Sequence, residues 1–306
     1  MGRDPEYLAF LRRFLADSEA LSRAAERDGL RGLAAARAVH AAELAALPRA
    51  PLHRVEDVVA GGVAGRLYVP DKGAPPGLLV FAHGGGWVLG DVESYDPVVR
   101  ALAAASGAAV LSVEYRRPPR HRFPAAVDDV AAAVAAADGL AARLGTGKVA
   151  VGGDSAGGQI AAAAAHRLGA AGRRPAGLVL VYPAVDLRSV PSPPPDPDGL
   201  EFPGQDLDGV LAAYLGDADR TDPEVSPLLA PDFSVLPPTV VATAGHDRLR
   251  AQGEAFAARL RDAGVEAVLL PGDGLDHGFL GWGPFARRAA DAVAGLGAAV
   301  RALFTE

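Results

Sequence analysis

The chain contains no cysteine. Disulfides, thiolate metal sites and a cysteine nucleophile are therefore excluded together, and folding is compatible with a reducing compartment. Positive charge is not in excess either. Thirty Lys and Arg face 37 Asp and Glu, for a net charge of −7, so no basic surface is offered to a phosphate backbone and nucleic-acid binding is not expected. No uninterrupted apolar stretch approaches the ~18 residues of a membrane-spanning helix. Residues 1–10 carry Arg3, Asp4 and Glu6 without an apolar h-region, so no secretory leader is read there. Glu6 also stands where a myristoylation signal requires Ser or Thr. A cytoplasmic protein without a membrane span is the expectation.

What is present is ordinary globular material. Of 306 residues, 50% are hydrophobic and 22% charged, enough apolar surface for a full core. Residues 5–47 read as helix, with Leu8, Leu11, Leu15, Leu21, Leu30, Leu33 and Leu44 set among Arg and Glu. Gly29 and Gly32 break the run, and Pro48 with Pro51 ends it. Beyond that point short apolar runs alternate with Ala-rich helical stretches, the pattern of a mostly parallel sheet wrapped by helices. Strands are expected over 54–60, 65–70, 78–82, 108–114, 148–152, 177–182, 239–244 and 266–270, and helices over 95–106, 125–144, 156–171, 251–263 and 284–303. Gly61-Gly62 reads as a hairpin turn that makes the first strand pair antiparallel. The proline-rich segment 188–204 cannot form helix or interior strand. It is either a surface loop or part of a cap over the site.

Chemistry concentrates at a few places. Gly153-Asp154-Ser155-Ala156-Gly157 lies between an apolar strand and an Ala-rich helix, the context of a nucleophile elbow. A serine on so sharp a turn needs small neighbours, and the helix that begins there aims free N–H groups at a reacting carbonyl. Upstream, His83-Gly84-Gly85-Gly86-Trp87 follows the strand 78–82. Consecutive glycines let backbone N–H groups approach a developing oxyanion, and Gly84 and Gly85, joined by Ala156, are the expected donors.

A serine hydroxyl needs a base, and the base needs orienting. Of the seven histidines, His40 and His166 fall in helical stretches and are expected to face solvent, while His53 precedes the first strand. His277 follows the last strand on a Gly-containing loop, at the strand edge where sites of open α/β sheets gather. Asp247 follows the strand 239–244 and completes the chain order Ser, Asp, His, with Asp273 and Asp276 as rivals for the same role. Asp276 adjoins His277 in the chain, where neighbouring side chains diverge. His246 reads as structural.

Together these residues resemble the hormone-sensitive-lipase family of bacterial esterases. The resemblance covers nearly the whole chain and rests on His83–Trp87, Glu114-Tyr115-Arg116, the run from Phe123 to Asp129, Gly153–Gly158, Tyr182-Pro183, Ser226-Pro227-Leu228, Gly245-His246-Asp247 and His277-Gly278-Phe279. It implies an α/β-hydrolase fold with an eight-stranded, mostly parallel sheet and an N-terminal helical cap. The domains are then 1–50 as cap region and 51–306 as catalytic domain, with 188–215 a possible second cap segment. It further implies cofactor-free hydrolysis of short- to medium-chain carboxylic esters by Ser155, Asp247 and His277 with Gly84, Gly85 and Ala156, and no metal. The partner is a small-molecule ester, and a homodimer is one possible assembly. The chain departs from the family at Arg117-Pro118-Pro119-Arg120, Arg248, Ala251-Gln252 and Gln159. These departures bear on substrate preference and on contacts between copies, and leave the reaction type intact. Two alternatives stay open. One is a deacetylase, lactonase or amidase dedicated to one metabolite; the other is a non-catalytic small-molecule receptor on the same fold.

Overall fold

The computed structural model describes residues 2–200 and 207–305. Chain order gives α1 (Pro5–Arg27), α2 (Gly32–Ala45), β1 (Arg54–Ala60), β2 (Val63–Val69), β3 (Leu78–Ala82), α3 (Asp96–Ser106), β4 (Ala109–Val113), α4 (Ala125–Arg143), β5 (Val149–Asp154), α5 (Ala156–Ala170), β6 (Leu178–Val181), α6 (Leu207–Leu215), β7 (Thr239–Ala244), α7 (Arg250–Asp262), β8 (Ala267–Gly272) and α8 (Arg287–Thr305). The strands form one sheet in the order β1-β2-β4-β3-β5-β6-β7-β8. β1 and β2 pair antiparallel across Gly61-Gly62, β2 meets β4 antiparallel, and every later pair is parallel. The mostly parallel α/β expectation holds, with strand limits displaced by up to two residues.

The central strands are continuous apolar runs because both sheet faces are covered. In β3, Leu78, Val80 and Ala82 enter one core with α4 and α5, while Leu79 and Phe81 enter the other with α3 and α8. The side-chain period of two thus divides one strand between two cores.

Asp4 caps α1 by accepting the Tyr7 N–H at 2.9 Å, with Pro5 at the first turn where its missing donor costs nothing. Tyr7, Phe10 and Leu11 of α1 are buried, and Phe10 stacks on Phe285 at 5.3 Å and meets Trp282 edge-on at 5.5 Å. α2 buries no residue completely. It is tied down instead by Arg37, which donates to the carbonyls of Val88 and Pro118. The N-terminal helical run is two helices, parted at Gly29 and Gly32 where the glycines are expected to break it. Residues 188–200 form neither helix nor strand, as their prolines require; 201–206 of the expected cap segment lie outside the described residues. α6 was not anticipated. Among the described residues no helix is long and apolar enough to cross a membrane.

Candidate active site

Three strand ends meet on one rim. β5 delivers Ser155, β7 leads to Asp247 and β8 leads to His277, with β6 running between β5 and β7. Ser155 sits at φ 54°, ψ −117°, a strained conformation for a residue with a Cβ. The turn survives because its surroundings leave no alternative. A Cβ on Gly157 would lie 2.0 Å from the Ala82 carbonyl oxygen, and one on Gly153 would lie 2.3 Å from that of Gly157. The Ser155 N–H donates to Val181 at 2.9 Å, locking the bend to β6.

His277 Nε2 stands 2.8 Å from Ser155 Oγ, and its Nδ1 stands 2.7 Å from Asp247 Oδ2. A carboxylate only accepts, so Nδ1 carries the proton and Nε2 offers its lone pair to the hydroxyl. Asp247 is buried, with 2% of its side chain exposed, whereas His277 keeps 40% exposed and can be reached from solvent. The second Asp247 oxygen accepts the Leu249 N–H at 2.9 Å, so the carboxylate is held at both ends. The loops bearing acid and base are laced together by the His246 N–H, which donates to Leu275 at 2.9 Å. Burial alone would lower the His277 pKa. The charge and hydrogen bond of Asp247 outweigh it, with Asp154 adding and Arg248 opposing, and the net shift is upward. Tyr182 packs against the imidazole with ring centroids 4.6 Å apart.

The glycine run is held by side chains that the sequence reading did not assign. Asp154, the variable position of the elbow motif, accepts the Gly84 N–H at 2.8 Å and the Tyr95 hydroxyl at 3.3 Å. Burial pushes its pKa up to about 6, opposed first by the Gly84 N–H. His83 is fully buried and its Nδ1 donates to the Gly84 carbonyl at 2.8 Å, while the Tyr115 hydroxyl donates to the His83 carbonyl at 2.8 Å. Both polar groups of Gly84 are thus occupied. This corrects one expectation: Gly84 cannot offer its N–H to a substrate while Asp154 holds it. The next two amides, of Gly85 (φ 103°) and Gly86 (φ 56°), have no acceptor among the described residues. Left-handed backbone at both positions explains why glycine is needed there. The Ala156 N–H, at the first position of α5, lacks an intrahelical acceptor by geometry.

Other candidates are placed apart from this relay. Asp276 turns away from His277 and pairs with Arg3. Arg250 lies 3.8 Å from the carboxylate of Asp273. His166 bonds the Asp232 carbonyl. His40 does not face solvent as its helix suggested: its side chain is 20% exposed, its ring lies 6.0 Å from that of Tyr95, and burial lowers its pKa to about 4. Gln159, one of the noted departures, is fully buried and accepts from Trp87 Nε1 at 2.8 Å and from the Tyr214 hydroxyl at 3.2 Å, where Trp87 and Tyr214 stack at 5.0 Å. It fastens α6 to the glycine-run loop. No cluster of His, Asp and Glu suited to a metal occurs among the described residues.

Comparison with known proteins places this geometry. Residues 79–281 match a family model described as the α/β-hydrolase fold. The carboxylic ester hydrolase LipN of Mycobacterium tuberculosis is 40% identical over 232 residues, which cover 72% of this chain and 62% of LipN. The chain thus spans just under two thirds of that relative's length. The hyperthermophilic esterase of the archaeon Pyrobaculum calidifontis superposes with a TM-score of 0.82 at 33% identity, covering 99% of each chain. An esterase of the bacterial hormone-sensitive lipase family superposes with a TM-score of 0.83 at 26% identity, covering 99% of this chain and 100% of the other.

Proposed function

The chain belongs to the α/β-hydrolase fold family, in its hormone-sensitive lipase branch, and from that membership we propose that it is a serine carboxylesterase acting on short- to medium-chain esters. The observation that carries this reading is the unbroken relay from Ser155 Oγ through His277 to the buried Asp247, at 2.8 and 2.7 Å.

In the proposed reaction His277 Nε2 takes the hydroxyl proton as Ser155 Oγ bonds to the ester carbonyl carbon. The resulting oxyanion is received by the N–H groups of Gly85, Gly86 and Ala156. The imidazolium, stabilised by Asp247, then protonates the leaving oxygen, the carbon–oxygen bond breaks and the alcohol departs. Water repeats the sequence on the acyl-enzyme: His277 removes its proton, the tetrahedral adduct forms again, and the acid leaves as the proton returns to Ser155. Fixed donors on a rigid rim need no reorganisation as charge develops, and this makes such a site effective. Residues 1–50 together with 188–215 are the proposed cap that bounds the acyl pocket.

The test is a panel of acetyl, butanoyl and octanoyl p-nitrophenyl esters with an aryl amide alongside, run on wild type and Ser155→Ala. Ester turnover should fall on the order of 10⁵-fold or more in the variant. A fluorophosphonate should label wild type at Ser155 and leave the variant unlabelled. Wild-type turnover retained in Ser155→Ala would remove the proposal.

A further inference from the structure

Arg3 is the most completely enclosed cation described, with none of its side chain exposed. Its guanidinium has five N–H donors, and all five are used. Nε and Nη2 form a fork on Asp276, at 2.8 Å from Nε to Oδ2 and 2.5 Å from Nη2 to Oδ1. Nη1 and Nη2 form a second fork on Asp196 at 3.0 and 2.6 Å, and Nη1 also donates to Asp198 at 2.8 Å. One cation therefore joins three carboxylates from two distant stretches of chain. Asp196 is in turn braced by the N–H groups of Asp198 and Leu200, which gives the proline-rich segment a fixed local shape. Asp276 has 3% of its side chain exposed, and its own N–H donates to the Tyr7 hydroxyl at 3.0 Å.

The place of Asp276 gives this cluster a role beyond stability. It immediately precedes His277, and Gly278 on the far side has φ 93° and no side chain to anchor. The imidazole is thus aimed by what holds residue 276. We infer that Arg3 is a positioning residue for the reaction, acting through Asp276 to keep His277 Nε2 within hydrogen-bonding reach of Ser155, and that it couples this loop to the segment 188–200. The inference rests on the esterase reading for its kinetic consequence. A planar fork is required: lysine offers its charge from a single point and cannot span Asp276 and Asp196 in the same geometry.

The experiment compares wild type, Arg3→Ala and Arg3→Lys by p-nitrophenyl butanoate kinetics, with rates divided by active sites titrated with a fluorophosphonate. A merely structural role would lower the number of active sites and leave turnover per site unchanged. The expected result for Arg3→Ala is a loss in kcat per titrated site on the order of tenfold to a hundredfold, since misplacement by ~1 Å is enough for the latter, with KM little changed. Arg3→Lys should stay well below wild type. Millimolar guanidinium should restore part of the Arg3→Ala rate where equimolar sodium does not. Hydrogen exchange, which needs no substrate, should quicken at 275–278 and 190–200 in both variants. If wild type hydrolyses no ester, the esterase reading fails and exchange alone judges the positioning claim. If wild type is active and both variants match it per site, or if exchange at 275–278 is unchanged, the positioning claim is overturned. Should Arg3→Ala not fold, Arg3→Lys decides the matter by the same measures.

Discussion

The strand-edge floor of the site and the N-terminal helices near it are held by different means. On the floor, fixed groups meet over short distances: His83, Gly84, Tyr115 and Asp154 leave almost no accessible surface, and their partners come from β3, β4, β5 and the adjoining loops. In the N-terminal region, α1 is anchored by aromatic packing on Trp282 and Phe285, while α2 buries nothing completely and relies on Arg37 and on the ring of His40. Chemistry is thus assigned to the part that cannot relax.

That contrast yields measurements of decreasing size. The largest should come from Asp247→Asn. An amide can present its N–H to Nδ1 and favour the wrong tautomer, so kcat should drop on the order of 10⁴-fold. Because Asp247 holds the imidazole pKa above its ordinary value, and the base works only when neutral, the acid limb of residual kcat/KM should also move to lower pH. An acid limb that stays in place would show that Asp247 acts on geometry alone.

Next is Asp154→Ala, which leaves the buried Gly84 N–H without an acceptor. That should cost about 1–3 kcal/mol of stability and let the glycine run drift, with kcat down roughly 10- to 100-fold. Asp154→Asn keeps an acceptor oxygen and should retain most of the rate. If alanine and asparagine behave alike, the charge and not the hydrogen bond is what matters.

The smallest effect belongs to α2. The pKa of His40 is lowered from 6.5 to about 4 by burial, so the unfolded chain binds the proton first as pH falls. Its contribution to stability is whole above about pH 6.5 and is lost progressively towards pH 4. His40→Phe should flatten the fall of Tm across that window and leave ester turnover near wild type. His83, lowered to about 3, extends the same acid sensitivity and should keep part of the slope in the variant.

The residues differ in how openly they announce themselves. β3 and β5 are legible because doubly covered strands must be apolar throughout, and Ser155, Asp247 and His277 because chain order and strand-end position narrow the choice to few. The free amides of the glycine run are only partly legible. Which amide of the run 84–86 is free depends on Asp154, 70 residues further along, and no local pattern carries that information. Asp154 was open to suspicion as an acid inside a motif that buries it. α6 escapes the sequence reading because Leu207–Leu215 is short and follows a proline-rich stretch, although Gly216 at its end, with φ 59°, is a stop signal. Arg3 had no signal at all, since a single arginine near Glu6 looks like any solvated charge.

The Arg3–Asp276 contact joins residues 273 positions apart. On the ribosome, Arg3 is made long before Asp276 exists, so its fork on that carboxylate must wait until all eight strands have been laid down. Closing that contact belongs among the last events of folding. A nascent chain halted before residue 276 would contain the nucleophile on its bend and still be catalytically silent. Activity would then appear abruptly once the loop of His277 is made and not grow in proportion to chain length.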